Sequence, residues 1–171
     1  MRIRGTALAT TILLSLLAGA SASSAAPPAA AGAAPVAAAD PSREVLAAAE
    51  AIVAAFGRDD PKTYFALFDP AATFIFHSTP GRLESRAAYE AEWAKWAKED
   101  GFHVRACSSA HQRVQLFGDL AIFTHSVRTE LSTKQGDSTV HERETIVFER
   151  RDGKWIAVHE HLSPDPSTTT P

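Results

Sequence analysis

The hydrophobic pattern of this chain changes period once, and that change bounds what it can fold into. Between residues 40 and 101 apolar side chains recur at helical spacing, while from Phe102 to about residue 162 they alternate. Helices first and a run of strands last, joined by tight turns, is the order of an α+β domain. Its antiparallel sheet must bury one face under the helices.

The punctuation supports this order. Asp40-Pro41 supplies an N-cap acid and a proline at the first helical position. Val45, Leu46, Ala49, Ile52, Val53 and Phe56 then form one apolar stripe, ended by Gly57. Asp60-Pro61 opens a second, short helix carrying Tyr64, Leu67 and Phe68, and Asp69-Pro70 is expected to stop it. Thr73 to His77 reads as a short strand and Thr79-Pro80-Gly81 as a turn. Ser85 can cap a third helix bearing Tyr89, Trp93, Trp96 and Ala97, with Gly101 past its end. Four strands follow, at about 103–117, 119–131, 138–150 and 154–162, with turn signals at Gly118-Asp119, Gln135-Gly136-Asp137 and Asp152-Gly153.

The last hairpin admits two registers. A two-residue Asp152-Gly153 turn puts Glu144, Ile146 and Phe148 on the face of Trp155, Ala157, His159 and His161. A three-residue Arg151-Asp152-Gly153 loop puts them with Ile156, Val158, Glu160 and Leu162 instead. The second collects the aliphatic residues on one face and is the expected one. It sets Glu144 opposite Glu160.

Both ends of the chain differ from this middle. Met1-Arg2-Ile3-Arg4, an uncharged apolar run from Ala7 to Ala20 and the small residues Ala20-Ser21-Ala22 read as a secretory signal over residues 1–22. The run is shorter than the ~20 apolar residues a spanning helix needs. The mature form is therefore expected to be exported, periplasmic or secreted, and free of the membrane. Residues 23–39 are almost all Ala, Ser, Pro and Gly and read as a flexible linker, leaving a domain at 40–163 and a disordered tail at 164–171.

Charge and cysteine content exclude several functions. The chain has 17 Lys and Arg against 20 Asp and Glu, and without Arg2 and Arg4 the balance is 15 against 20. No excess of positive charge is available to neutralise phosphates, so no nucleic-acid partner is expected. The single cysteine, Cys107, rules out an internal disulfide framework, and it is expected to be buried and inert. No glycine-rich phosphate loop and no Ser/His/Asp signature occurs. No cofactor is expected.

The order of elements resembles the cone-shaped fold shared by nuclear transport factor 2, ketosteroid isomerase, scytalone dehydratase and the SnoaL-like polyketide cyclases. Glu144-Thr145, Arg150-Arg151-Asp152-Gly153-Lys154-Trp155 and Val158-His159-x-His161-x-Ser163 resemble the closing hairpin of the calcium/calmodulin-dependent protein kinase II association (hub) domain. His111, Val114 and Gly118-Asp119 resemble its preceding strand and turn. The resemblance covers roughly residues 42–165 and implies three N-terminal helices packed on a strongly curved, mostly antiparallel sheet. It also implies a homodimer, built on the exposed sheet face, and a binding or assembly role. The hub's pocket arginines correspond here to Val127, Ile146 and Leu162, which implies a more apolar ligand than a small carboxylate. The isomerase general-base aspartate corresponds to Phe76 or His77, so that reaction is not expected.

Four residues are candidates for acid/base chemistry. His77 ends the first strand beside the implied pocket mouth. His125 shares an apolar face with Ala121, Phe123, Val127 and Leu131. Glu144 and Glu160, brought together on the aliphatic face, could not both ionise cheaply unless Arg143 or Arg128 paired with them. With these, a lyase, cyclase or isomerase pairing a pocket histidine with a glutamate is the alternative to a non-enzymatic module. Tyr64, Trp93, Val127, Ile146 and Leu162 are the expected lining of a pocket for a small, largely apolar molecule, although most of the Tyr89–Trp93–Trp96 stripe reads as core. His159 and His161, two apart on one strand face, are read as structural rather than as metal ligands.

Overall fold

The computed structural model describes residues 40–166. The expected signal and linker, and residues 167–171 of the expected tail, lie outside the described residues. Helix α1, Pro41–Gly57, begins where the Asp40 carboxylate accepts the Ser42 N–H at 3.0 Å, and it buries Val45, Ala49, Ile52 and Ala55. Helix α2, Pro61–Ala66, is capped in the same way by Asp60, which accepts from Thr63 N at 3.1 Å. Strand β1 is Phe68–Phe76 and helix α3, capped by Ser85, is Arg86–Glu99. Strands β2 (His103–Phe117), β3 (Leu120–Thr133), β4 (Gly136–Arg151) and β5 (Lys154–Pro164) complete one sheet in the order β1-β5-β4-β3-β2. Only the β1–β5 pair is parallel.

Two helices precede the first strand and α3 lies between β1 and β2, the order in which the sequence placed them. Two expectations are corrected. Asp69-Pro70 does not stop a helix but opens β1. The Asp69 side chain accepts the Ala71 N–H at 2.8 Å and also holds Arg151, while a register irregularity separates Phe68 from Thr73. Proline is tolerated there because the position lies at the start of an edge strand. Residues 164 and 165 are also part of the fold, since Pro164 ends β5, Asp165 N donates to His141 O at 3.0 Å and its carboxylate meets Arg143 at 3.1 Å.

The closing hairpin mixes both registers. Its turn is the two-residue one, with Asp152 (φ 51°) and Gly153 (φ 75°) both left-handed, so Arg151 pairs with Lys154 and Phe148 with Ala157. This is the turn that matches the natural twist of a hairpin. A bulge at Val158 then slips the register by one, so that Val147 pairs with His159, Ile146 with Glu160 and Glu144 with Leu162. Trp155 and Ala157 therefore join the inner face near the turn, and Glu160 and Leu162 join it further along. The expected Ile156 and Val158 do not. Further irregularities in β2, between Val104 and Ala106 and between Ala110 and Arg113, accompany a left-handed His111 (φ 54°). Extra residues on one strand of a pair bend it and raise its twist, and these bends curl the sheet around α1 and α3.

The inner face of the curl holds Phe74, Phe123, Ile146, Phe148 and Ala157, all at most 1% exposed, against the helical residues Val45, Ala49, Tyr64, Tyr89 and Trp93. Burying an aromatic or aliphatic side chain of this size contributes about 1.5–3 kcal/mol each. Gly57 is needed where α1 reaches β2, because a Cβ there would lie 3.0 Å from the Cys107 backbone nitrogen.

Candidate functional site

Inside the curl the core does not close. A cavity of about 360 Å³ remains between α1, α3 and the inner faces of β2–β5. Its walls are largely aromatic: Phe56, Tyr64, Phe76, Tyr89, Trp96 and Phe102 border it, with Ile52, Val127, Leu131 and Leu162. Ser78, Asp100, Thr129, Thr133 and Gln135 also line it, and its remaining polar groups gather at a floor and a rim. No lysine or arginine borders the cavity.

The floor is a hydrogen-bonded chain of side chains. Ser109 Oγ lies 2.6 Å from His125 Nδ1, and His125 Nε2 lies 2.5 Å from Glu144 Oε2. Glu144 is hydrogen-bonded to Glu160, and the Tyr64 hydroxyl donates to Glu160 Oε2 at 2.9 Å. The Tyr64 ring packs edge-on against Tyr89, with the centroids 6.0 Å apart. Glu144 and Glu160 are only 7% and 3% exposed. Their position follows from the Val158 bulge. Without the slip, Glu160 would turn to the outer face.

Burial sets the charge state of this floor. It pushes the Glu144 carboxyl up to about 7. Burial, then the neighbouring Glu144 charge, raises Glu160 well above the ordinary carboxyl range. The pair therefore holds a proton at neutral pH, titrating as a unit. Burial pushes the His125 imidazole down to about 4, so it stays neutral. Either neutral tautomer satisfies both partners, because the Ser109 hydroxyl turns to donate or accept. Arg128 and Arg143 pair with Glu130 and Asp165 instead of the glutamates.

At the rim, His77 Nε2 meets Glu142 Oε1 at 2.7 Å, with the imidazole 42% exposed. His77 and Glu142 both border the cavity. Cys107 borders it as well, but burial holds its thiol up to about 12, so it is no nucleophile near neutral pH.

The candidate residues thus divide. Glu144, Glu160, His77, Tyr64, Val127 and Leu162 border the cavity. His125 lies behind Glu144 with its side chain fully buried and positions that carboxyl without reaching a ligand. Trp93 and Ile146 do not border it. Trp93 packs its ring against Phe56, Phe65 and Phe102, and Ile146, fully buried, belongs to the core. Ser109 and Glu142 escaped the reading of the sequence. Glu142 was within reach of it, since residues 142, 144 and 146 alternate on one face of β4. Ser109 was not, because the irregularities flanking it obscure which way β2 side chains point. On the outer face, Thr73 Oγ1 lies 2.9 Å from His159 Nδ1 and His161 is exposed. Among the described residues no three potential ligands cluster around a metal-sized space.

Residues 41–166 match the calcium/calmodulin-dependent protein kinase II association domain family. The chain belongs to that family. Among solved structures it is similar to an association domain of this type from Xanthomonas campestris, with 26% identity, a TM-score of 0.61, and coverage of 74% of this chain and 89% of that one. The S. rosetta CaMKII hub shares 22% identity at a TM-score of 0.62, covering 74% and 98% of the two chains. A nuclear transport factor 2-like protein from Salmonella enterica shares 14% at a TM-score of 0.63, covering 75% and 94%. The wider nuclear transport factor 2-like fold is thereby shared too. For an association domain, the family suggests assembly or binding as the general role.

Proposed function

We propose that this association domain is an exported module that self-associates, as a dimer in the simplest case, and holds a small, largely apolar molecule in its cavity without turning it over. The observation that carries the ligand half is the chamber itself: a concave, largely aromatic-walled space with a few polar groups, which is the anatomy of a small-molecule site. The absence of any bordering lysine or arginine, with two buried carboxyls on the floor, argues against a carboxylate ligand. Self-association is supported by the family and by Leu116, Phe117 and Leu120, three large apolar residues exposed together at the β2–β3 turn. The Arg2–Ala22 pattern supports export.

The carboxyl pair favours one second reading, an acid/base isomerase or lyase. The ionised member of the pair would take a proton from a ligand carbon, the released electron pair shifting within the ligand. The protonated member would return a proton elsewhere, leaving the pair with the same single proton. His125 would orient Glu144.

The ligand half is tested by thermal unfolding with benzyl alcohol, a neutral probe small enough for the chamber. Binding only to the folded state raises Tm with ligand concentration, by about 2.7 kcal/mol of stabilisation at a hundredfold excess over Kd. Quenching or shift of the tryptophan emission, to which Trp96 is the contributor bordering the cavity, should saturate in parallel. An unchanged Tm and emission up to the solubility limit would contradict the site.

A further inference from the structure

The chamber's concave aromatic walls make it a site, and its lining decides the charge of what fills it. Resting on the ligand-binding reading above, we propose that the cavity is built for an organic cation: a small amine or quaternary ammonium carrying an apolar body.

Three features converge on this class. Six aromatic side chains border the space, and aromatic faces attract a cation within about 6 Å of the ring centroid, most strongly where water is excluded. Every ionisable side chain on the border is acidic or weakly basic: Glu142, Glu144, Glu160 and Asp100, with His77 the sole nitrogen base and Cys107 and the two tyrosines neutral. An entering cation therefore meets no lysine or arginine on the border, and the one imidazole there, His77, is already faced by Glu142. Finally, the floor is provisioned to accept charge. Tyr64 donates to Glu160 and His125 contacts Glu144, so both carboxyls keep a partner when their shared proton leaves and the ligand's positive charge replaces it. A carboxylate ligand would meet the opposite situation, two acidic oxygens and no donor cation, and a neutral ligand would use the walls alone.

The test is a series of one shape and three charges: benzyltrimethylammonium, benzyl alcohol and benzoate, titrated calorimetrically into the full-length protein near neutral pH. The expected order is cation over alcohol by at least about tenfold, the scale of desolvated cation–aromatic attraction, with benzoate below detection. The Glu144→Gln/Glu160→Gln double variant keeps the shape and hydrogen-bonding capacity of the floor. It should lose most of the preference for the cation over the alcohol, and its far-UV circular dichroism and cooperative thermal unfolding show that it is folded. If the alcohol binds as well as the cation, or if the double variant keeps the preference, the cation inference is overturned while the ligand-binding reading stands. If none of the three binds, both fall.

Discussion

Glu144→Gln is expected to become more stable than wild type as the pH rises, by up to about 3 kcal/mol between pH ~4.5 and pH ~7.5. The sign follows from the carboxyl's two environments. In the unfolded chain Glu144 ionises near its ordinary value of 4.5, whereas burial in the folded domain holds it to about 7. Between those values the folded state keeps a proton that the unfolded state releases. The group's contribution to stability is therefore fully present below 4.5, falls as the pH rises through that window, and is lost above 7. Glutamine has nothing to release, and its amide accepts and donates where the protonated carboxyl did, toward His125 and Glu160. Urea unfolding of both proteins across the pH range checks this. The difference should grow through the window and level off above it. A difference independent of pH would mean that Glu144 titrates normally.

Tyr64→Ala is expected to destabilise the domain by about 3–5 kcal/mol, the range for removing a large buried ring. Tyr64 is 2% exposed, and its ring lies within 6.0 Å, centroid to centroid, of those of Phe56, Phe65, Phe68, Tyr89 and Trp93. Truncation opens a void among all five and merges it with the ligand cavity. It also strips Glu160 of its phenolic donor. Domains of this kind are stable by only ~5–15 kcal/mol in total, so the variant should lie close to unfolding at ordinary temperature. Tyr64→Phe separates the two effects. It keeps the ring, removes the hydroxyl and should lose about 1–3 kcal/mol. Equal losses in the two variants would place the stabilisation in the hydrogen bond rather than in the aromatic packing.

The sequence carries the elements of this domain well because their signals are local. Asp40-Pro41, Asp60-Pro61 and Ser85 mark helix starts by the chemistry of their own side chains, and Asp152-Gly153 marks a turn by its tolerance of left-handed backbone. The closing hairpin shows where local reading stops. Two registers competed, the aliphatic count favoured one and the turn favoured the other, and the bulge at Val158 realises part of each. A bulge is set by what packs on both faces, and no residue at 158 announces it. The site inherits this. Glu144 and Glu160 were legible as a pair only in the register the aliphatic count favoured; the two-residue turn alone would separate them, and the slip at Val158 restores the pairing, with Leu162 and not Glu160 opposite Glu144. The roles of His125 and Trp93 were not legible, since facing inward does not tell a residue at a cavity from one layer behind it.

Assembly of this association domain and a small molecule held in its chamber are the two halves of the proposed function. Native mass spectrometry of the protein, purified without added ligand and then denatured to release whatever it carried, tests both parts in one experiment. The expected result is a mass of two or more chains, with a retained low-molecular-weight compound that disappears on denaturation and carries a positive charge or none. Bare single chains at micromolar concentration would contradict the account, and a retained carboxylate would contradict its reading of the chamber.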